Sequence, residues 1–156
     1  MIADDVPTRE PARLLVVDDE ESVRSLVSTV LETLGGYDVD TAADGADAID
    51  RLDGLPDGAP DLVVLDIMMP VTDGLTTLSW IRDHEYLYDL PVVMLTAKTG
   101  PGDEADGWQR GCDAYVAKPF DPEHLLEVVA TTLAAGPELR IARRRERLRE
   151  MLASPS

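Results

Sequence analysis

The stretch Leu62-Val63-Val64-Leu65-Asp66 decides the fold. Four consecutive apolar residues without polar alternation suit a short strand buried on both faces, and a carboxylate follows at once. The same pattern recurs outward from it. Leu14-Leu15-Val16-Val17 is followed by Asp18-Asp19, Val92-Val93-Met94-Leu95 by Thr96, and Ala114 to Ala117 by Lys118-Pro119. Strands of this kind belong to parallel sheets covered by helices.

The intervening segments supply those helices. Val23, Leu26, Val27, Val30, Leu31 and Leu34 share one helical face, which Gly35-Gly36 terminates. Tyr37 to Ala42 reads as a further strand, and Asp44 caps a helix carrying Ala46, Ala48, Ile49 and Leu52. Leu75, Leu78 and Ile81 mark a third helix, and a fourth covers about 102–110. Asp121-Pro122-Glu123 starts a fifth, continued by Leu125, Val128, Val129 and Leu133. Alternating strands and helices predict an α/β fold, a doubly wound parallel sheet with helices on both faces. Function then collects at the carboxyl ends of the strands.

Composition narrows the function. The chain has 156 residues and a formal net charge of −17, with 44% hydrophobic and 29% charged residues. That fits one domain with a short extension, and the acidity argues against nucleic-acid binding by the bulk of the chain. One cysteine, Cys112, excludes an internal disulfide, and two histidines, His84 and His124, leave little for a histidine metal site. Both histidines are expected at the surface, Trp80 in the core and Cys112 as a buried filler. No apolar run reaches a membrane span and the N-terminus lacks a secretory pattern, so a cytoplasmic location is expected. The charge is uneven. Residues 1–136 hold 28 acidic and 8 basic residues, whereas 137–156 hold six arginines and three glutamates. The expected division is a flexible arm at 1–11, a domain at 12–136 with a turn-rich loop at 53–60, and an Arg-rich helical tail at 137–156.

Five polar groups stand at the strand ends: Asp18, Asp19, Asp66, Thr96 and Lys118, one of only two lysines. In a parallel sheet they converge on one edge. Three crowded carboxylates repel, and a hard divalent cation relieves that; oxygen-only ligands suit Mg²⁺, with Mn²⁺ compatible with the same donors. A cation also lets a carboxylate attack a phosphoryl group, while a hydroxyl and an ammonium contact the phosphoryl oxygens.

The chain resembles the bacterial response-regulator receiver domain, the fold of the chemotaxis regulator, flavodoxin-like with strand order 2-1-3-4-5. The matching segments are Leu15-Val16-Val17-Asp18-Asp19-Glu20, Leu65-Asp66-Ile67-Met68-Met69-Pro70 with Asp73-Gly74, Met94-Leu95-Thr96-Ala97, and Tyr115-Val116-Ala117-Lys118-Pro119-Phe120. The resemblance implies that Asp66 is the phosphoacceptor for a histidine kinase or phosphotransfer protein. It implies Mg²⁺ on Asp19, Asp66 and the backbone carbonyl of Met68, with Asp18 acting largely through water. Lys118, Thr96 and the N–H of Ala97 would bind the phosphoryl group, Thr96 and Tyr115 would form the switch, and Lys118-Pro119 would be cis. The expected protein is a stand-alone signalling switch with an unknown output partner, able to homodimerise on phosphorylation. Its catalysis is limited to its own phosphorylation and dephosphorylation.

Two positions bear on phosphoryl lifetime. Met68 and Lys98 offer no base to orient an attacking water, so slow loss of phosphate is expected. Trp108, on the fourth helix, packs or contacts a partner on the family's output face. For the tail three readings stand: a solvated extension of the fifth helix along a thin Ile141, Leu148, Leu152 stripe, a docking helix for a partner or a second copy, or a basic segment touching nucleic acid or membrane. The alternatives to a stand-alone switch are the receiver portion of a longer DNA-binding transcriptional regulator and an Asp-nucleophile phosphatase. The last usually needs an acid where Met68 stands.

Overall fold

Leu14, Leu15, Val16 and Val17 are each no more than 3% exposed, as a strand covered on both faces requires. They lie in β1 (Arg13–Val17). The computed structural model describes residues 11–53, 58–69, 72–97 and 100–153, so nearly all of the expected N-terminal arm, and the middle of the 53–60 loop, lie outside the described residues. After β1 comes α1 (Glu21–Thr29), which widens into a π-helical segment, Val30–Leu34. There follow β2 (Asp38–Ala42), α2 (Gly45–Leu52), β3 (Leu62–Leu65), α3 (Gly74–Asp83), β4 (Val92–Thr96), α4 (Pro101–Arg110), β5 (Ala114–Ala117), α5 (Pro122–Ala134) and α6 (Pro137–Ala153). Carboxylates close the starts of three helices: Asp44 accepts from the Asp47 N–H, Asp73 from Thr76 and Asp121 from Glu123.

The sheet runs β2-β1-β3-β4-β5 with every pairing parallel, as expected. Alternate strand residues feed two cores. Leu15, Val17, Val63, Leu65, Val92 and Met94 meet Ala48, Leu52, Leu78 and Trp108 from α2, α3 and α4. Leu14, Val16, Val64, Val93, Leu95 and Val116 meet Val27, Leu31, Leu125 and Val129 from the α1 and α5 side. Register places Val17 opposite Ala42 and Leu65, Leu65 opposite Met94, and Thr96 opposite Ala117. The polar residues that follow these strands therefore leave the sheet at one edge.

Around this frame the small details divide. Cys112 is fully buried, and Trp108 is 9% exposed. Trp80 is half-buried beside the core rather than within it. His84, expected at the surface, is also half-buried, its ring 4.9 Å from that of Trp80. No helix among the described residues is long and apolar enough to cross a membrane.

The C-terminal helix corrects the solvated-extension reading. Ala135 is extended, with φ −88° and ψ 130°, so α5 ends there and α6 starts afresh. α6 folds back against α4. Its inward face is not the expected stripe, since Ile141 is 39% and Leu152 75% exposed. It is formed by Arg140, Arg144, Arg147, Leu148 and Met151, one side of a helix by their spacing. Leu148 and Met151 pack on the core layer that contains Trp108, and Arg140 is buried. Arginine becomes an inward face only where acids await it, and here they come from distant segments.

Candidate functional site

Asp18 and Asp66, at the ends of β1 and β3, are 3% and 4% exposed, while the neighbouring Asp19 is open to solvent. One carboxylate oxygen from each of Asp18, Asp19 and Asp66 lies within 4.8 Å of the others. The backbone orients two of them. The Glu20 N–H donates to Asp18 Oδ1 at 2.9 Å, and the Met68 N–H to Asp66 Oδ1 at 3.2 Å. From the end of β5, Lys118 Nζ donates to Asp18 Oδ2 at 2.7 Å and to Asp66 Oδ2 at 3.0 Å. The Lys118 N–H donates to the Thr96 carbonyl at 2.9 Å, and the Lys118-Pro119 peptide is cis, as the resemblance implied.

Arg24 Nη1 also donates to the Asp18 carbonyl, at 2.8 Å, yet three carboxylates outnumber these two cations, Lys118 and Arg24, among the described residues. Burial works against the Lys118 charge, but hydrogen bonds to Asp18 and Asp66 outweigh it and its pKa is raised. The Lys118 ammonium therefore stays charged across the physiological range.

The Asp73-Gly74 pair shapes the edge. Asp73 caps α3, and a Cβ on Gly74 would lie 2.1 Å from the Asp66 carbonyl oxygen. Only glycine lets the start of α3 close on the Asp66 loop, where the Gly74 N–H donates to Ile67 at 3.0 Å.

Thr96 is fully buried at the end of β4, and Ala97 beside it is exposed. Tyr115 is half-buried against the core on the α4 side, close enough to Gly107 that a Cβ there would lie 3.1 Å from the ring. Burial, then the nearby acids Asp103 and Glu104, raise its hydroxyl pKa well above the usual value. The Met68 side chain is 52% exposed, and Lys98 lies outside the described residues. Thus Lys118 joins Asp18 and Asp66 with Asp19 nearby, Thr96 ends β4 with Ala97 after it, and Tyr115 sits toward α4. The donor set is all oxygen with three carboxylates, which fits a hard divalent cation.

Residues 14–130 match the family model for the response regulator receiver domain. The chain belongs to that family. It is 46% identical over 125 residues to Response regulator Rre1 of Synechocystis, covering 80% of this chain and 53% of that protein. It is 41% identical over 113 residues to the alkaline phosphatase synthesis transcriptional regulatory protein PhoP of Bacillus subtilis, covering 72% of this chain and 45% of that protein. Among solved structures, a putative response regulator from Chloroflexus aurantiacus superposes with a TM-score of 0.74 at 34% identity, covering 80% of this chain and 99% of that one. The chain spans about half the length of the first relatives it matches. Receiver domains are signalling switches of two-component systems rather than conventional enzymes, and they engage histidine kinases or phosphotransfer proteins and output domains.

Two features of this receiver went unread in the sequence. An open groove of about 400 Å³ lies beside the acidic site, lined by Val23, Leu26, Ala97, Lys118, Pro119 and Phe120. At the opposite edge of the sheet, Asp113 is buried among three arginines. Arg82 Nη2 lies 3.0 Å from its Oδ2, and Arg140 Nη1 and Arg144 Nε each lie 3.4 Å from its Oδ1. The Val92 N–H also donates to Oδ2, at 2.9 Å. The recurrence of arginine at 140, 144 and 147, four and then three residues apart, was the available clue.

Proposed function

We propose that Asp66 is the phosphoacceptor of this receiver. A carboxylate oxygen of Asp66 attacks the phosphorus of a phosphohistidine, the P–N bond breaks, and the imidazole leaves with the electron pair. The observation that carries this reading is the hydrogen-bonded group of Lys118 with Asp18 and Asp66, beside a third carboxylate open to solvent. Lys118 holds Asp66 in place and supplies positive charge for phosphoryl oxygens. The Thr96 hydroxyl and the Ala97 N–H, from the end of β4, bind them, and Thr96 with Tyr115 forms the switch. Asp19, Asp66 and the Met68 carbonyl would hold Mg²⁺, or Mn²⁺, with Asp18 acting through water. When bound, the metal supplies Lewis-acid screening between the attacking carboxylate and the phosphoryl group.

The groove beside Lys118 suits the phosphodonor protein. Its apolar rim includes Leu26, 54% exposed, and it is also lined by Lys118, whose ammonium is bonded to Asp66. Met68 presents no base to a hydrolytic water, which favours a long-lived aspartyl phosphate. We place the receiver at about 12–136, with the segment from 137 attached as a helical extension, in a cytoplasmic signalling protein.

Phosphorylation by a small acyl phosphate with Mg²⁺ tests the assignment. The wild type is labelled, with a lifetime of minutes or longer. Asp66→Asn and metal removal by EDTA each reduce labelling to background. Equal labelling of wild type and Asp66→Asn refutes the phosphoacceptor assignment, and a lifetime of seconds refutes the role given to Met68. A second reading, the receiver part of a DNA-binding regulator, is favoured by the greater length of relatives such as PhoP. A reading frame continuing past Ser156 into a DNA-binding domain decides for it.

A further inference from the structure

α6 holds two elements at once. At its start, Arg140 and Arg144 reach Asp113, the residue before β5, and Arg140 Nη2 also donates to the Asp89 carbonyl at 3.1 Å. One turn farther on, Arg147 Nη2 donates to Glu104 of α4 at 3.0 Å. The same Glu104 oxygen accepts from Trp108 Nε1 at 3.0 Å. Leu148 and Met151 then lie against the core layer that holds Trp108. One rigid helix therefore clamps the middle of α4 to the start of β5.

α4 is also the helix led directly by the proposed phosphoryl-binding strand end. β4 ends at Thr96, Ala97 follows, and α4 begins at Pro101. A pull on the Thr96 hydroxyl and the Ala97 N–H toward a phosphoryl group on Asp66 would act on the strand end that precedes α4. The Tyr115 ring of β5, packed against Gly107 of α4, joins the same two elements from the inside. The clamp fits the arrangement of α4 and β5 described above. A charge-assisted pair depends on distance and angle, so a shift of α4 relative to β5 strains either the Glu104 or the Asp113 end.

We propose that α6 is a brake on the phosphoryl switch: it pins α4 to β5 in the unphosphorylated arrangement, and phosphorylation at Asp66 loosens it and uncovers the Glu104 and Trp108 face of α4. The inference rests on Asp66 as phosphoacceptor. Linkage makes it reciprocal, because a phosphoryl group that weakens α6 docking must bind more tightly when docking is already weak.

The test uses the full chain with Mg²⁺ and beryllofluoride, a phosphoryl mimic whose binding is read separately by its fluorine resonance. Amides of residues 138–153 are expected to exchange with solvent at least about 5-fold faster when the mimic is bound. Arg147→Glu, which places like charges together at a half-exposed pair, is expected to raise mimic affinity by about 5-fold. The charge swap Glu104→Arg with Arg147→Glu returns the affinity toward wild type. Unchanged protection of α6 with the mimic bound, or unchanged affinity in Arg147→Glu, overturns the brake and leaves the phosphoacceptor reading standing. Failure of the mimic to bind wild type overturns both.

Discussion

At one edge of the sheet Lys118 bridges two of three clustered carboxylates; at the other Asp113 is shared by three arginines, one of which, Arg140, also pairs with Asp89 at 3.6 Å. The two clusters answer their excess charge differently. The acidic edge includes Asp19, which is exposed, so its negative charge is open to solvent. The basic edge directs its surplus donors to backbone carbonyls. Arg82 reaches Gly111 and Leu90, and Arg140 reaches Ala135 and Asp89. Crowding there is tight enough that a Cβ on Gly111, which has φ 105°, would lie 2.9 Å from Arg82 Nε. The first edge is partly open to solvent, whereas the second is enclosed by the chain, with Arg144 Nε, 3.4 Å from Asp113, buried and without a hydrogen bond. Burial of charge thus marks a working site only where part of the cluster reaches water.

This contrast breaks most easily at Asp113. Asp113→Ala removes the carboxylate that three guanidinium groups share, with Arg140 keeping Asp89 at 3.6 Å, and unfolding in denaturant should show a loss of about 3–5 kcal/mol. Added Mg²⁺ should not restore it. Lys118→Met removes the partner of Asp18 and Asp66 and should cost less, about 1–3 kcal/mol, because the open groove that Lys118 lines and the exposed Asp19 beside it give water a path to the two buried carboxylates. Millimolar Mg²⁺ should recover much of that loss in the same denaturation experiment. Equal recovery in both variants, or in neither, would erase the distinction between an open and a closed edge.

The smallest effect concerns Cys112, fully buried next to Asp113. Burial first, and the Asp113 charge second, raise its thiol pKa far above the usual range. The neutral thiol is the form the fold prefers. Its contribution is therefore complete below the ordinary thiol pKa of about 8.5 and is lost progressively as pH rises above it, about 1 kcal/mol by pH 9. A thiol reagent at pH 8 should react at least about 100-fold more slowly with the native chain than with the denatured one. Fast reaction would mean that the closed edge opens on its own.

Much of the acidic edge was legible in the chain. Asp18, Asp66, Thr96 and Lys118 each follow an apolar run, and strands that are parallel neighbours must bring such residues together. The basic edge was not legible. Nothing in the chain singles out Asp113 or Arg82, and the tail reads as a basic helix with a thin apolar stripe. Their meeting depends on the turn at Ala135, which sends α6 back over α4.

Local pattern therefore determined the strand and helix order, the parallel sheet and the identity of the acids at its carboxyl edge, because burial on both faces and helical periodicity are written in neighbouring residues. Tertiary structure alone decided that Lys118 bridges Asp18 and Asp66, that Gly74 must lie against the Asp66 carbonyl, and that α6 buries arginines rather than Ile141 and Leu152. The physical reason is that a charge is buried only when distant partners desolvate with it, and those partners are far away in sequence.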